Sequence, residues 1–463
     1  MTAGDGKSAK RELASSVNVI DPIWAGTEDE LALGFSNKHR ARLRYVAKWG
    51  CWYEWTGQRW AEDETVLVYD LIRRYCRDAL AFSDEKSKRG HAAKATTVAA
   101  VERFAKADRR HAATVDQWDT DLWLLNTPSG VVDLKTGALL QHKPDFFMTK
   151  ITAVAPEGDC LRWMDFLDEI TDGAPGLIEF LQRLIGYGLT GSTREHAFAF
   201  LFGTGANGKS TFLNPITEML GDYSTVAGTD VFTESRNERH PTELAMLRGA
   251  RFVVAQETDE GRAWNETRIK ALTGGDPITA RYMRQDFFTF VPQFKLIVSG
   301  NHKPALRNVD EAMRRRLHLV PFTKTIEQED RDPKLAEKLR AELGGILRWA
   351  IDGCLDYQSE GLNPPRVVIE ATADYFRGQD AFSQWLEDCC EQAPGYWEPP
   401  RLLFLSWEKW ATGAHEEVGN QKQFAERLEK AKFMKQKGRK YNGRAWIGLK
   451  VITKTQSGDA WDT

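Results

Sequence analysis

The sequence has no run of 18 apolar residues, and its polar N-terminus lacks the apolar core of a secretory leader. A spanning helix and a secreted product are therefore excluded as expectations, and a host cytoplasm is the expected location. Charge of one sign is also missing. With 63 basic and 66 acidic residues, any nucleic-acid surface must be local and not a coat over the whole molecule. The six cysteines, Cys51, Cys76, Cys160, Cys354, Cys389 and Cys390, include no C-x-x-C pair and no matching histidine spacing, which argues against a zinc site or a disulfide framework. Adjacent Cys389 and Cys390 read as core thiols on a helix. No internal repeat or low-complexity tract is visible, and no N-K-x-D motif reads a guanine base.

What is present centres on Leu201-Phe-Gly-Thr-Gly-Ala-Asn-Gly-Lys-Ser-Thr211. An apolar strand over 197–202 runs into a glycine-rich loop and then a helix from Lys209 to about Leu220, closed by Gly221. Gly203, Gly205, Ala206, Asn207, Gly208, Lys209, Ser210 and Thr211 fit the phosphate-binding pattern G-x-x-x-x-G-K-[ST]. Backbone N–H groups of such a loop curl round a triphosphate, and the helix N-terminus adds its partial positive charge. Lys209 is placed to reach the β- and γ-phosphates and Ser210 to ligate Mg²⁺, so ATP and Mg²⁺ are the expected cofactors.

Three further segments belong to this module. A strand over 250–256 delivers Glu257, the expected water-activating and metal-side carboxylate. Gln256 before it is assigned no chemistry. A strand over 294–299 ends in Gly300-Asn301-His302, where Asn301 can report on the γ-phosphate. Arg314, Arg315 and Arg316 precede another strand, with Arg315 or Arg316 spaced as an arginine finger supplied by a neighbouring subunit. Between the second and third strands, residues 278–290 read as a hairpin with Arg281 and Arg284 near its tip. These arginines, with Lys270, are expected on DNA phosphates; Lys270 could equally serve a neighbour's nucleotide.

The flanks are less specific. Residues 1–16 read as a disordered tail. Residues 17–190 read as a mainly helical domain with small β hairpins. Trp49, Trp52, Trp55 and Trp60 surround a Thr56-Gly57 turn, and packing is favoured over base stacking for that cluster. A helix is expected through Val68 to Ala79, exposed helices over 84–113, a meander over 124–137, and two amphipathic helices before the phosphate loop. The ATPase domain is placed at 191–345, a linker at Asn363-Pro-Pro365, and a winged-helix-like domain at 366–455. Its segment 421–450 holds ten Lys/Arg against two Asp/Glu. Lys435, Lys437, Arg439, Lys440 and Arg444 are its expected DNA contacts, though a protein-docking role remains open.

Gly-Thr-Gly-Ala-Asn-Gly-Lys-Ser, Val-Val-Ala-Gln-Glu-Thr, Leu-Thr-Gly-Gly-Asp, Ser-Gly-Asn-His-Lys-Pro and Arg-Arg-Leu-His-Leu-Val-Pro-Phe together resemble the superfamily 3 helicases. More narrowly, the chain is similar to the C-terminal part of the phage/plasmid primase–helicases, relatives of the poxvirus primase-helicase. The resemblance implies an α/β fold with an AAA+-like P-loop core and a parallel sheet. It also implies a homo-hexameric ring moving 3′-to-5′ on single-stranded or forked DNA while a mobile element replicates. By the same resemblance Lys209 and Ser210 hold nucleotide and Mg²⁺, Glu257 activates water, Asn301 is the sensor, and Arg315 or Arg316 is the finger. A primase domain, frequent at the start of such proteins, is not expected here, so primer synthesis would fall to a separate primase or polymerase. The alternative reading is an ATP-gated initiator or loader without processive unwinding.

Overall fold

The computed structural model describes residues 27–81, 94–234, 242–256, 262–284, 286–306, 310–414, 416–438 and 443–452. The chain divides into two compact units, residues 1–133 with 138–155, and residues 134–137 with 156–463. The tail expected at 1–16 lies outside the described residues.

In the first unit, Thr27 opens α1 (Glu28–His39) with a reciprocal cap. Its hydroxyl accepts from Glu30 N, while the Glu30 carboxylate accepts from Thr27 N. The strands β1 (Leu43–Val46), β2 (Cys51–Trp55) and β3 (Trp60–Glu62) form an antiparallel sheet, with the expected turn at Thr56-Gly57. Asp63 then starts α2 (Leu67–Ala81) by accepting from Leu67 N and Val68 N. The next helix, α3 (Ala95–Ala107), is not simply exposed as expected. It buries Val98, Val101 and Ala105 in one cluster with Phe35, Trp52 and Ile72, because alanine allows the helices close approach. The meander is formed by β4 (Leu124–Thr127), β5 (Gly130–Asp133) and β6 (Ala138–Leu140). Trp52 and Trp60 are buried, and Trp60 meets Trp118 edge-on at 5.9 Å, so these rings fill a core. With two three-stranded sheets, this unit is mixed α/β and not mainly helical.

The second unit begins with α4 (Leu161–Thr171) and α5 (Leu177–Leu189), whose apolar faces match the expected spacing. The domain boundary expected at 190 therefore falls inside this unit. The reason is close packing. A Cβ on Gly186 of α5 would overlap the backbone of Gly353–Cys354 in α10 (Leu343–Glu360), and one on Gly353 would overlap Gln182. The C-terminus of α5 is held by two cations from the sheet. Arg251 donates to Leu189 O at 2.9 Å, and fully buried Lys295 donates to Thr190 O with its ammonium 4.8 Å from the Tyr187 ring. Burial pulls the Lys295 pKa well below its ordinary value.

Five parallel strands form the central sheet in the order β13-β7-β12-β9-β8. They are β7 (Phe198–Phe202), β8 (Ser224–Gly228), β9 (Phe252–Gln256), β12 (Lys295–Gly300) and β13 (Leu317–Pro321). The near-continuous burial of β7, β9 and β12 is what the interior of a parallel sheet covered on both faces requires, while β8 at the edge is largely open. The strand β7 lies between β12 and β13 and runs into α6 (Lys209–Leu220). The helix α7 (Glu266–Gly274) and the hairpin β10 (Ile278–Arg281) and β11 (Phe287–Phe290) lie between β9 and β12 in the chain. After the four-residue α8 (Glu311–Arg314) and β13 come α9 (Leu335–Ala341), α10 and α11 (Arg366–Gln379).

The linker expected at 363–365 is instead pinned. The buried Arg183 guanidinium donates to Leu362 O and Asn363 O, each at 3.2 Å. The helix α11 packs Tyr375 and Phe376 into the core of the parallel sheet, so the C-terminal module starts after it. That module comprises α12 (Ala381–Cys389), β14 (Cys390–Glu398), α13 (Pro400–Gly413), α14 (Gln421–Lys430), β15 (Met434–Gly438) and β16 (Gly443–Val451). Its sheet order is β14-β16-β15, and it has its own cluster around Trp385, Trp407 and Trp446. Strand β14 was not expected, and Cys390 opens it, so the two adjacent cysteines do not share a helix.

Burial holds two histidines, His39 in α1 and His318 in β13, at a pKa of about 4, and lowers that of His111. An unfolded chain binds these protons near pH 6.5, so stability is complete above that value and falls between pH 6.5 and 4. Denaturant midpoints measured across that window should drop with pH, and His318→Phe should flatten part of the drop.

Candidate functional site

The phosphate loop takes its shape from local backbone demands. Gly205, Ala206 and Gly208 have φ of 107°, 50° and 81°, and the two glycines adopt these angles without a Cβ penalty. A Cβ on Gly203 would overlap Phe322 O and Asn207 Nδ2. Asn207 Nδ2 donates to Phe322 O at 2.8 Å, and Ile326 N donates to Ala206 O at 2.9 Å, tying the loop to the segment after β13.

Lys209 is buried within this loop. Its ammonium donates to Gly203 O at 2.7 Å, Asn207 Oδ1 at 2.9 Å and Asn301 Oδ1 at 3.1 Å, and burial lowers its pKa. Asn301 follows β12, which pairs in register with β7, so parallel pairing brings it 92 positions along the chain to Lys209. A cavity of about 430 Å³ here is lined by residues 205–211 with Gln256, Ser299, Gly300 and Asn301. Ser210 and Thr211 line it at the start of α6. It opens at the carboxyl ends of the strands, where ligands of open α/β sheets bind. Glu257 lies outside the described residues, directly after β9.

A second cavity, of about 420 Å³, borders the same loop through Ala206, Gly208 and Thr211. Its walls come from α4, α6 and α9, with Phe166, Ile326 and Leu339 among the apolar lining. Glu342 fixes one wall by accepting from Arg162 N and Trp163 N at the start of α4. Sequence reasoning missed this cavity. The available signal was Pro215, which sits inside α6 at a helix-interior cost of about 3 kcal/mol.

Of the three arginines, Arg314 lies 5.1 Å from the Phe376 ring and Arg315 is exposed. Arg316 is buried, with Nη1 donating to Ala312 O at 2.9 Å, and its Nε has no partner. Arg316 O accepts from Phe198 N, so these arginines stand at the amino end of β13 and β7. A five-residue strand at about 3.3 Å per residue puts them about 16 Å from the phosphate loop of their own chain.

Against known families, residues 32–172 match the model described as D5 N terminal like, and residues 201–316 match a family of unknown function, DUF5906. A protein of Acanthamoeba polyphaga mimivirus provisionally named helicase L207/L206 is 28% identical over 58% of this chain and 31% of its own length. Protein 022R of Frog virus 3, also provisionally named a helicase, is 27% identical over 47% of this chain and 25% of its length. Over these segments the chain is similar to the D5-like primase–helicases of viruses. Its matches thus span a third or less of these two curated relatives. The solved apo structure of the NrS-1 C-terminal region shares the fold, at a TM-score of 0.50 and 10% identity, over 93% of this chain and 100% of that one.

In this D5-like chain the basic residues expected on DNA fall in different settings. Lys270 forms an ion pair with Asp310, the N-cap of α8, so it is engaged within the chain. Arg281 and Arg284 do flank the end of β10, and the Arg281 guanidinium lies 4.8 Å from the exposed Phe287 ring. On the C-terminal hairpin, Lys435, Lys437 and Arg444 are exposed. Lys437 stands directly opposite Arg444 in register, a like-charge pair that is unfavourable without an anion. Arg439 and Lys440 lie outside the described residues.

The loop after Asn301 is anchored to α11. Tyr375 Oη accepts from Trp264 Nε1 at 3.1 Å and donates to Pro304 O, while Leu306 N donates to Gln379 Oε1 at 3.0 Å. Tyr375→Phe should cost about 1–3 kcal/mol, since both partners are buried. Denaturant unfolding measures that loss, and amide exchange should quicken over residues 301–306.

Proposed function

We propose that this chain is an ATP-dependent DNA helicase or translocase that acts as a homo-hexameric ring, with 3′-to-5′ travel on single-stranded DNA. The observation that carries the reading is the Lys209 ammonium gathered by Gly203 O, Asn207 Oδ1 and Asn301 Oδ1 within a loop of left-handed residues. Such a cradle suits a triphosphate, whose oxygens replace those acceptors. Mg²⁺, held by Ser210 with Glu257, would neutralise charge between the β- and γ-phosphates. Glu257 would orient the attacking water, and Asn301 would pass the loss of the γ-phosphate to the loop that follows it.

Arg315 is the better finger on exposure, since Arg316 is buried and its Nη1 is held by Ala312 O. Their distance from their own phosphate loop favours a site completed by a neighbouring copy. The names of the mimivirus and Frog virus 3 relatives support a helicase reading. Arg281 and Arg284 on the internal hairpin would grip the strand's phosphates. The C-terminal module has the chain order helix, strand, two helices and hairpin of a winged helix, and its Lys435, Lys437 and Arg444 would hold the duplex ahead. An initiator or loader that binds DNA with ATP but does not unwind it is the second reading, favoured by that same basic hairpin.

Lys209→Ala should abolish both ATP hydrolysis and forked-duplex unwinding; unwinding that survives would refute the assignment. Retention of DNA with ATP but no strand displacement in the unaltered chain would favour the loader. Arg315→Ala and Glu257→Gln subunits, each inactive alone, should recover ATPase when mixed if seams are shared, and no recovery at any ratio would refute a trans site.

A further inference from the structure

We infer that the first unit carries a nucleic-acid surface of its own, a basic edge built by Arg40, Arg44, Arg109 and Arg110 that takes the phosphates of DNA. This deepens the DNA reading above and does not depend on the phosphate loop. Residues 38–48 and 103–110 together hold nine Lys/Arg against one acidic residue, Asp108, in a chain whose charges otherwise balance.

The fold brings these two segments together. Tyr45 N in β1 donates to His111 O at 2.7 Å, and Ala113 N donates to Tyr45 O at 3.0 Å, so the turn after α3 lies along the open edge of β1. Arg44 fastens the junction. Its Nη1 donates to Leu43 O at 2.9 Å, to Arg110 O at 3.4 Å and to Arg40 O, and its guanidinium lies 5.1 Å from the Trp60 ring. Arg110 ties the same turn to α1 by donating to Asn37 Oδ1.

Counter-charge is short at this edge. Asp108 pairs with Arg110 at 2.6 Å, Glu102 with Lys106 at 2.9 Å, and Glu54 with Arg42. Arg40 and Arg109, one from each segment, are exposed and have no side-chain partner among the described residues. The positive potential reaches inward. Burial, then Lys38 and Arg42, push the His39 pKa down to about 4. Guanidinium groups held this close repel one another, and an anion among them relieves that repulsion. Arginine forks match phosphate oxygens two at a time. A phosphate backbone repeats its charge about every 3.4 Å along each strand of a duplex, so one ligand can engage both segments.

Anisotropy of labelled single-stranded and duplex DNA, titrated with the full chain in the absence of nucleotide, tests the edge. Arg40→Glu with Arg109→Glu should weaken binding of at least one of them about tenfold and lower the slope of log K against log salt by about two. Arg40→Lys with Arg109→Lys keeps the charge and should stay within about threefold of the unaltered chain. Amide exchange in the unaltered chain should slow over residues 40–45 and 108–113 when DNA is added. Unchanged affinity and slope in a folded Glu pair would overturn the inference, as would a Lys pair as weak as the Glu pair. DNA binding by the unaltered chain that leaves exchange at this edge untouched would overturn it without any variant. A Glu pair that alters the mass of the assembly but not its DNA affinity would make the edge a contact between copies, and overturn it too. An unaltered chain that binds neither DNA would sink the DNA reading above together with this surface.

Discussion

The site depends on one buried cation. Lys209 sits below the surface of the phosphate loop, and an ammonium there is tolerable only with hydrogen-bond acceptors on it. Three oxygens from three places supply them: the loop's first glycine, its asparagine, and the residue after β12. The parallel pairing of β7 with β12 brings the third within reach, and the tie from Asn207 to Phe322 holds the second. The lysine therefore reads the alignment of the central strands, and under the proposed function the oxygens of a triphosphate would take over from those acceptors.

That alignment is protected at the other end of the sheet by different chemistry. Lys295 and Arg251 spend their charge on the carbonyls ending α5, and Gly186 and Gly353 let α5 and α10 touch backbone to backbone. A cation committed to helix carbonyls cannot rotate toward solvent without stranding them, so the amino edge of the sheet is stiff. The carboxyl edge, with its left-handed loop residues, is where exchange of partners is cheap. The fold thus separates support from chemistry along the strand direction.

The phosphate loop, the strand tips and the hairpin were legible in the sequence because each combines a short apolar run with a local breaker, such as Gly203 or Gly300. The limits of α6 were read to the residue, since Gly208 and Gly221 punctuate it. What was not legible depended on partners far along the chain. Nothing near Val98 or Ala105 shows that α3 is packed against α1 and not solvated. Nothing near Asn363 shows that Arg183 holds that segment. Strand β14 carries Gln392, Pro394 and Gly395, a poor strand composition, and exists because β16 offers it an edge. Lys270 illustrates the same limit in the site: its charge suggested DNA, while Asp310, forty positions later, occupies it.

The arginines complete the argument from strand polarity. In a parallel sheet every strand has its carboxyl tip on one edge, so a loop entering β13 and a loop leaving β7 cannot meet within one copy. Arg315 is exposed at that far edge with nothing of its own chain's nucleotide cavity near it. The strand axis is about 16 Å long, and an arginine side chain does not span it. A second copy placed with its carboxyl edge against this amino edge removes the distance without bending either sheet. Meanwhile the loop after Asn301 hands its position to Tyr375 and Gln379 on α11, the helix that leads directly into the C-terminal module. A movement of Asn301 relative to Lys209 would reach α11 through these contacts, and under the proposed function that helix would link the nucleotide to the basic hairpin.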